Sequence, residues 1–532
     1  MRVLIVGGYG VFGGRLARLL IKDGLEVVVA GRDIKSAREF TQRAGGTPLK
    51  LDIAGDLMPI AKAAPSVVVD AAGPFQAYCG NPYRLAHFCI ENGINYLDLS
   101  DDAAFTAGIT QLDAAAAAAG CFALSGVSSV PAISAAAARS MSEGLSEILV
   151  IETSLVPGNK APRGRSVVAS ILSQTGEPLC MWRGGGWRQY RGWSDTKSVL
   201  FGPGFKRRVS LIGAPDLKLF PQAFPARSVI FRAGLELAVM RWSLGLLSFL
   251  RSRRLLPKLT RFLGPILWLS QRLEYAGSDK GAMAVEVTGL SEGEPLRRRW
   301  QIIAYNGDGP FIPTVPARAI ILKYASVSPG ARPCLFDLSL PEIQNALDGL
   351  SVRTAASSAQ APTLFQKALC ERWQQLPASV RRLHSVQDIE VFKGRAKVTR
   401  GKSWIARVAT FFFNFPKAAE DVPVTITKTR TASGEIWERD FDGRKFRSYL
   451  SPSHRRFHYR ERFFAFTYEQ ELPVKEGSLF LPVRRGWLLG IPLPGFLLPN
   501  SEAREYDLNG IFHFDVGLHA PLTGKLIVRY EG

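Results

Sequence analysis

The sequence predicts a three-part α/β chain: an N-terminal doubly wound parallel sheet, an α+β second domain with antiparallel sheet, and a mainly antiparallel β domain at the C-terminal end. Three observations predict it. Short β-type runs alternate with helical stretches over residues 1–124, the pattern of successive βαβ units. The first run enters Gly8-Tyr9-Gly10-Val11-Phe12-Gly13, a glycine cluster placed where a strand turns into a helix. Beyond residue 364 the helical pattern gives way to period-two alternation broken by turn signals.

At 532 residues the chain is too long for one core, and its hydrophobic content of 46% is ample for several. The expected division is 1–125, 126–353, a linker over 354–363 where the chain reads Thr354-Ala355-Ala356-Ser357-Ser358-Ala359-Gln360-Ala361, and 364–532.

In the glycine cluster, Gly8 allows the tight turn, Gly10 lets backbone approach a pyrophosphate, and Gly13 lets helix and strand pack closely. The helix N-terminus then faces the phosphates. Residues Gly8, Tyr9, Gly10, Val11, Phe12 and Gly13 are therefore candidate dinucleotide-binding residues, and the first domain is expected to be a Rossmann unit.

The second run, 27–30, leads into Gly31-Arg32-Asp33, about twenty residues past the glycines, where the group that reads the adenosine ribose is expected. Arg32 stands there, and an arginine pairs with a 2′-phosphate through charge-assisted hydrogen bonds. The expected cofactor is NADP. A one-residue shift of the strand end would instead put Asp33 at the ribose, which favours NAD.

Further runs follow at 48–53, 67–71, 95–99 and 121–124, and Asp52 near the end of the first of these joins the candidate cofactor residues. In an open sheet of this kind, ligands sit at the carboxyl ends of the strands. Ala72, Gly73 and Pro74 then border the cofactor, and the loops 98–101 and 125–131 face the same crevice. Hydride transfer to a C=O, C=N or C=C acceptor calls for a proton donor, and the candidates are Asp98, Ser100 and Tyr78. Asp98 has a second reading as the cap of the next helix. No Tyr-x-x-x-Lys pair starts at Tyr78 or Tyr83, because Pro82 and His87 occupy the fourth positions.

Taken together, the glycine motif, Ala30-Gly31-Arg32, Asp70-Ala71-Ala72-Gly73-Pro74-Phe75 and Asn95-Tyr96-Leu97-Asp98-Leu99-Ser100 resemble the saccharopine-dehydrogenase-like reductase family. The likeness covers about residues 1–345 and continues through Gly330-Ala331-Arg332-Pro333-Cys334. It implies an NADP-dependent oxidoreductase whose Rossmann domain precedes an α+β substrate and dimerisation domain, with a homodimer as the expected assembly. Members act on substrates from saccharopine to lipid-linked acyl chains, and the substrate-binding pattern of the true saccharopine enzymes is not recognisable here.

The C-terminal region, through Trp437-Glu438-Arg439-Asp440-Phe441, Gly490-Ile491-Pro492-Leu493-Pro494 and Val528-Arg529-Tyr530-Glu531-Gly532, resembles a bacterial domain family of unknown function fused to such reductases. A curved β domain in that position suggests a holder for a hydrophobic ligand, by fold-level analogy.

The net charge of +21 admits nucleic acid, an anionic membrane or a phosphorylated substrate as partner. No zinc-finger, helix-turn-helix or RNP-like pattern accompanies it, so nucleic acid is not expected. Trp182-Arg183-Gly184-Gly185-Gly186-Trp187-Arg188 reads as a hairpin with a glycine turn rather than an RNA-binding segment.

The stretch 235–273 is basic and strongly apolar, and its helical pattern breaks near Pro257. Its charge-free windows, 242–250 and 262–271, fall short of the roughly twenty residues of a spanning helix. Two readings stay open: helices lying on a membrane surface, or helices packing on the sheet or on a second subunit.

The six cysteines, Cys79 among them, lack CxxC spacing, which fits a reducing cytoplasm. Gly7 and Gly8 interrupt the first apolar run, so no signal peptide is expected. His513, Asp515 and His519 share one parity but read as sheet-face residues, and no metal site is expected. The resulting expectation is an NADP-dependent oxidoreductase, cytoplasmic with peripheral membrane contact through 235–273, acting on a hydrophobic or lipid-like small molecule. The alternative is a non-catalytic NADP(H)-binding sensor or scaffold that docks on a membrane or partner protein.

Overall fold

Strand β1 (Arg2–Val6) is apolar at four successive positions because both its faces are covered. Val3 and Ile5 feed one core with Val27 and Val29, whereas Leu4 and Val6 feed a second with Val28 and Ala30. That is the signature of a parallel sheet with helices on both sides. The computed structural model describes residues 1–532 except Cys79 and Arg163. Helix α1 (Gly13–Lys22), β2 (Glu26–Gly31), α2 (Ile34–Ala44), β3 (Thr47–Lys50), β4 (Val67–Asp70), β5 (Asn95–Asp98) and β6 (Phe122–Ser125) complete the N-terminal pattern.

The strands stand in the order β6-β5-β4-β1-β2-β3, all parallel, and the order reverses at β1, between β4 and β2. Such a reversal opens the crevice in which doubly wound sheets bind ligands. A seventh strand, Gly330–Pro333, pairs in parallel with β6. The sheet is therefore closed by a segment that follows the second domain in sequence, which a division at residue 125 does not foresee.

The second sheet runs in the order Lys197–Gly202, Phe205–Leu211, Ala226–Ala233, Glu147–Val156, Gly281–Ser291, Glu294–Ala304, Val352–Gln360. It is mixed, because Ala226–Ala233 lies parallel to Glu147–Val156 while Gly281–Ser291 and Glu294–Ala304 form an antiparallel hairpin. The intervening chain is long enough for the crossover that a parallel pair needs. The expected linker 354–363 is corrected here, since most of it is the edge strand Val352–Gln360. Its alanines and serines lack apolar periodicity, yet no glycine or proline breaks the chain before Pro362, so the backbone pairs as an edge strand.

Trp182 pairs with Trp187 across the hairpin Pro178–Trp182 and Trp187–Arg191, as the glycine turn requires. The basic apolar stretch forms the helices Ala238–Ser252 and Leu263–Arg272. Among the described residues no helix is long and apolar enough to cross a membrane.

Two units are distinguished: Met1–Trp182 with Gly186–Ala359, and Arg183–Gly185 with Gln360–Gly532. The second unit is built on a 13-stranded antiparallel sheet. From Ile389–Arg400 to Phe466–Glu471 its strands pair in chain order, and Leu526–Glu531 returns beside Ile389–Arg400. Strands His458–Phe463 and Phe466–Glu471 are joined by a turn at Phe464, whose φ of 49° is left-handed. Helices Leu364–Leu369 and Ala378–Leu383 share a core with Trp437 and Tyr459, and Phe441, Phe446 and Tyr530 form another.

His513, Asp515 and His519 lie on one strand, Ile511–His519. Each has another partner: His513 stacks on Tyr506, Asp515 pairs with Arg529, and His519 lies 3.4 Å from Glu502. Cys89, Cys121 and Cys334 are buried free thiols, Cys180 and Cys370 are exposed ones, and Cys79 lies outside the described residues.

Candidate functional site

Gly7 leaves β1 with φ of 72°, and a Cβ there would lie 2.9 Å from the Ala71 carbonyl oxygen. The loop after β1 thus lies against the loop after β4. A Cβ on Gly13 would lie 2.3 Å from the Gly7 carbonyl oxygen, so only glycine lets α1 begin so close to the turn. Helix α1 has no side-chain cap at Phe12 and no acidic residue in its first turn. Among the described residues, the backbone N–H groups of Val11, Phe12 and Gly13 have no hydrogen-bond partner. Uncapped N–H groups at the positive end of a ten-residue helix form a cradle for an anion. The residues present therefore fit a dinucleotide pyrophosphate.

Tyr9 links this loop to the end of β2. Its hydroxyl oxygen accepts the Asp33 N–H at 3.1 Å, and its ring lies over Gly31, where a Cβ would come within 2.4 Å of a ring carbon. Strand β2 ends at Gly31, so Arg32 is the first residue beyond it. Arg32 is exposed and makes no hydrogen bond or ion pair among the described residues. Asp33 is engaged in the next helix, its carboxylate accepting the Lys35 N–H at 2.9 Å and the Ser36 hydroxyl at 2.7 Å. Those bonds, Ser36 foremost, hold the carboxyl below its ordinary range. Asp52, exposed just past β3, accepts the Ala54 N–H at 3.0 Å in a local turn.

At the end of β4 the fully buried Asp70 accepts the Ala72 N–H at 3.0 Å and the Tyr78 hydroxyl at 3.0 and 3.1 Å. Burial raises its pKa to about 6. Gly73 and Pro74 continue this loop into Phe75, which packs with Tyr78 and Phe105 at ring separations of 5.5 and 5.1 Å.

Asp98 at the end of β5 is also fully buried. One carboxylate oxygen accepts the Ser100 N–H at 3.0 Å, the Ser125 hydroxyl at 2.9 Å and the Gly126 N–H at 2.8 Å, fastening β5 to the loop after β6. The other oxygen is buried without a partner among the described residues, and burial pushes the group up to about 7. The capping role read for Asp98 belongs to Asp102, which accepts the Ala104 and Phe105 N–H groups at 3.0 and 2.8 Å. Ser100 is fully buried, and its hydroxyl accepts the Asp102 N–H. Of the three proton-donor candidates, Tyr78 alone is partly exposed.

Two buried carboxyls escape a reading of the sequence. Asp70 stands inside the expected strand 67–71, and only its pairing with Tyr78 marks it. Asp216, in the first turn of Pro215–Ala223, accepts the Thr153 hydroxyl at 3.2 Å. Its other oxygen is unpartnered among the described residues, and burial raises it to about 7. A Pro-Asp pair at a helix start carries no signal of burial.

Residues 3–124 match the saccharopine dehydrogenase NADP binding domain, and residues 376–532 match a domain of unknown function (DUF4166). Among solved structures, the apo saccharopine dehydrogenase (L-Glu forming) of Saccharomyces cerevisiae is similar at 14% identity and a TM-score of 0.47, over 67% of this chain and 99% of that one. A probable dehydrogenase from Thermotoga maritima is similar at 10% identity and a TM-score of 0.33, over 65% and 93% of the two chains. No curated protein sequence matches. The chain therefore joins an N-terminal segment that matches the saccharopine dehydrogenase NADP binding domain to a C-terminal segment that matches a domain family of unknown function.

Proposed function

We propose that the protein is an NADP-dependent oxidoreductase acting on a hydrophobic, lipid-like substrate in the crevice at the ends of β1, β4 and β5. The observation that carries this reading is the uncapped start of α1 beside an unpaired Arg32. Gly8 to Gly13 hold the pyrophosphate, Arg32 takes the 2′-phosphate, Asp52 borders the adenosine end, and Ala72-Gly73-Pro74 lie along the other half of the cofactor. Bound there, NADP(H) exchanges a hydride with the substrate.

In the reductive direction the substrate's heteroatom takes a proton, and Tyr78 Oη is its source, oriented by Asp70. Asp98 and Ser100 keep the ends of β5 and β6 in place. Phe75, Tyr83 and Phe105 belong to the buried core beside Tyr78, with Tyr83 and Phe105 4.8 Å apart, and hold its ring in place. The second reading, a non-catalytic NADP(H) sensor, is favoured by the burial of Asp98 and Ser100, which keeps two of the three candidate donors from a substrate.

The test is NADPH titration by cofactor fluorescence, followed by oxidation assays with medium- and long-chain aldehydes, ketones and enoyl thioesters. Turnover that Tyr78→Phe abolishes without loss of NADPH binding is the expected result. Binding with no turnover across the panel would favour the sensor, and no binding would defeat both readings.

A further inference from the structure

The helix Ala238–Ser252 faces the wrong way for a helix bordered by water. It packs inward through Leu244 and Ser248, whose hydroxyl donates to the Gly192 carbonyl at 2.9 Å. Val239, Trp242, Leu246 and Phe249 are 56, 73, 60 and 50% exposed. They recur at i, i+3, i+7 and i+10 and so form one apolar stripe opposite the packed side, where a surface helix ordinarily carries polar groups.

Cations rim this stripe. Arg253 stands over the Phe249 ring at 5.4 Å, and on the helix Leu263–Arg272 the same pairing recurs, Arg272 over the 59% exposed Trp268 at 5.3 Å. Arg253, Arg254, Lys258, Arg261 and Arg272 have no carboxylate partner among the described residues. Beside the C-terminal end of the first helix lies a cavity of about 830 Å³ lined by Arg191, Arg251, Arg254 and Tyr190. Glu177 pairs with Arg251 there, and Arg191 donates to the neutral Ser252 hydroxyl at 2.7 Å, so among the described residues neither Arg191 nor Arg254 has a carboxylate partner.

We propose that this face docks on the surface of an anionic phospholipid bilayer, the stripe entering the interface and the unpaired cations Arg253, Arg254, Lys258, Arg261 and Arg272 meeting the phosphate headgroups. A second copy of the chain fits poorly, since it would bring the same unpaired cations against these in a chain of net charge +21. A bilayer carrying anionic lipid supplies both an apolar layer and the opposite charge. The proposal is independent of the cofactor reading.

Flotation of the full chain with vesicles tests it. The protein should float with phosphatidylcholine vesicles containing phosphatidylglycerol, stay behind with phosphatidylcholine alone, and be released by salt. The double variant Trp242→Ser/Phe249→Ser should lose at least about tenfold in partitioning while keeping its Tm, because both rings are already exposed. Arg254→Gln should lose about fivefold, the weight of one cation near an anionic surface. Failure to float with anionic vesicles would overturn the proposal. So would equal flotation with both lipids, or a double variant that floats like the parent. A parent dimer that the double variant converts to monomer, with neither protein floating, would assign the face to self-association instead.

Discussion

The Ser36 hydroxyl donates to the Asp33 carboxylate at 2.7 Å, and that bond bears on how the cofactor's adenosine end is read. With Asp33 closing the first turn of α2, its charge is directed at the helix, and Arg32 is the side chain left to meet a ligand. Arg32→Ala should cut NADPH affinity by about tenfold to a hundredfold, the weight of charge-assisted hydrogen bonds to a phosphate, and leave NADH affinity unchanged. Asp33→Ala should lower Tm by removing the cap while leaving the NADPH to NADH ratio intact. Equal parent affinities for the two cofactors, measured by fluorescence titration, would contradict the assignment.

The glycine loop offers a second, sharper contrast. Gly13 has no room for a methyl group, because its Cβ would lie 2.3 Å from backbone oxygen, so Gly13→Ala should unfold or strongly destabilise the first unit. At Gly10 the one near atom is the Gly7 oxygen, at 3.0 Å. Gly10→Ala should therefore stay folded, with Tm lowered only slightly, while the added methyl at the pyrophosphate cradle lowers NADPH affinity at least about tenfold. Thermal melts with and without NADPH separate the two effects: the parent should be stabilised by cofactor and Gly10→Ala should not.

Much of this is legible in the sequence. Gly8 to Gly13 after an apolar run, and Arg32 at the end of the next, are local patterns with local causes, and they lie within the NADP binding domain matched over 3–124. What is not legible depends on distant partners. Asp98 looks like a helix cap until Ser125 and Gly126 are seen to claim its carboxylate. Gly330–Pro333 gives no sign of completing a sheet begun at residue 2, because pairing with β6 is a property of backbone and not of side-chain pattern. For the same reason the alanines and serines of Val352–Gln360 read as a linker.

Buried carboxyls make the stability of the first unit depend on pH in an unusual direction. Asp70 is raised to about 6, and Asp98 and Asp216 to about 7, from ordinary values near 3.8, each chiefly by burial. Between pH 4 and 7 the folded state holds protons that the unfolded state has released, so stability falls as pH rises through that window. A tenfold difference in a group's acidity between the folded and unfolded chain corresponds to about 1.4 kcal/mol. Asp216→Asn keeps an acceptor for Thr153 and removes the ionisation, so its Tm should decline less than the parent's from pH 5 to pH 8. Asp98→Ala, which forfeits three hydrogen bonds, should lower Tm across the whole range. A parent Tm that rises steadily over this interval would refute the argument.

In the second unit the sheet buries a lysine among acids. Lys428 is fully buried, donates to the Leu383 carbonyl at 2.6 Å, lies 3.4 Å from His384 Nδ1 and sits 3.7 Å from the centre of the Trp437 ring. His384 Nε2 lies 2.6 Å from Glu505, and the Trp437 N–H donates to Glu435 at 2.8 Å. Burial lowers Lys428 to about 8, while the Glu435 and Glu505 charges act in the opposite direction. Lys428→Met preserves the volume but removes the positive charge whose field acts on both buried carboxylates, leaving them less well compensated. Its denaturant midpoint should fall accordingly. Adding Glu505→Gln to Lys428→Met should recover part of the loss, because the second change removes a charge that the first left uncompensated. Additive effects in that double-mutant cycle would show that lysine and glutamate do not act together.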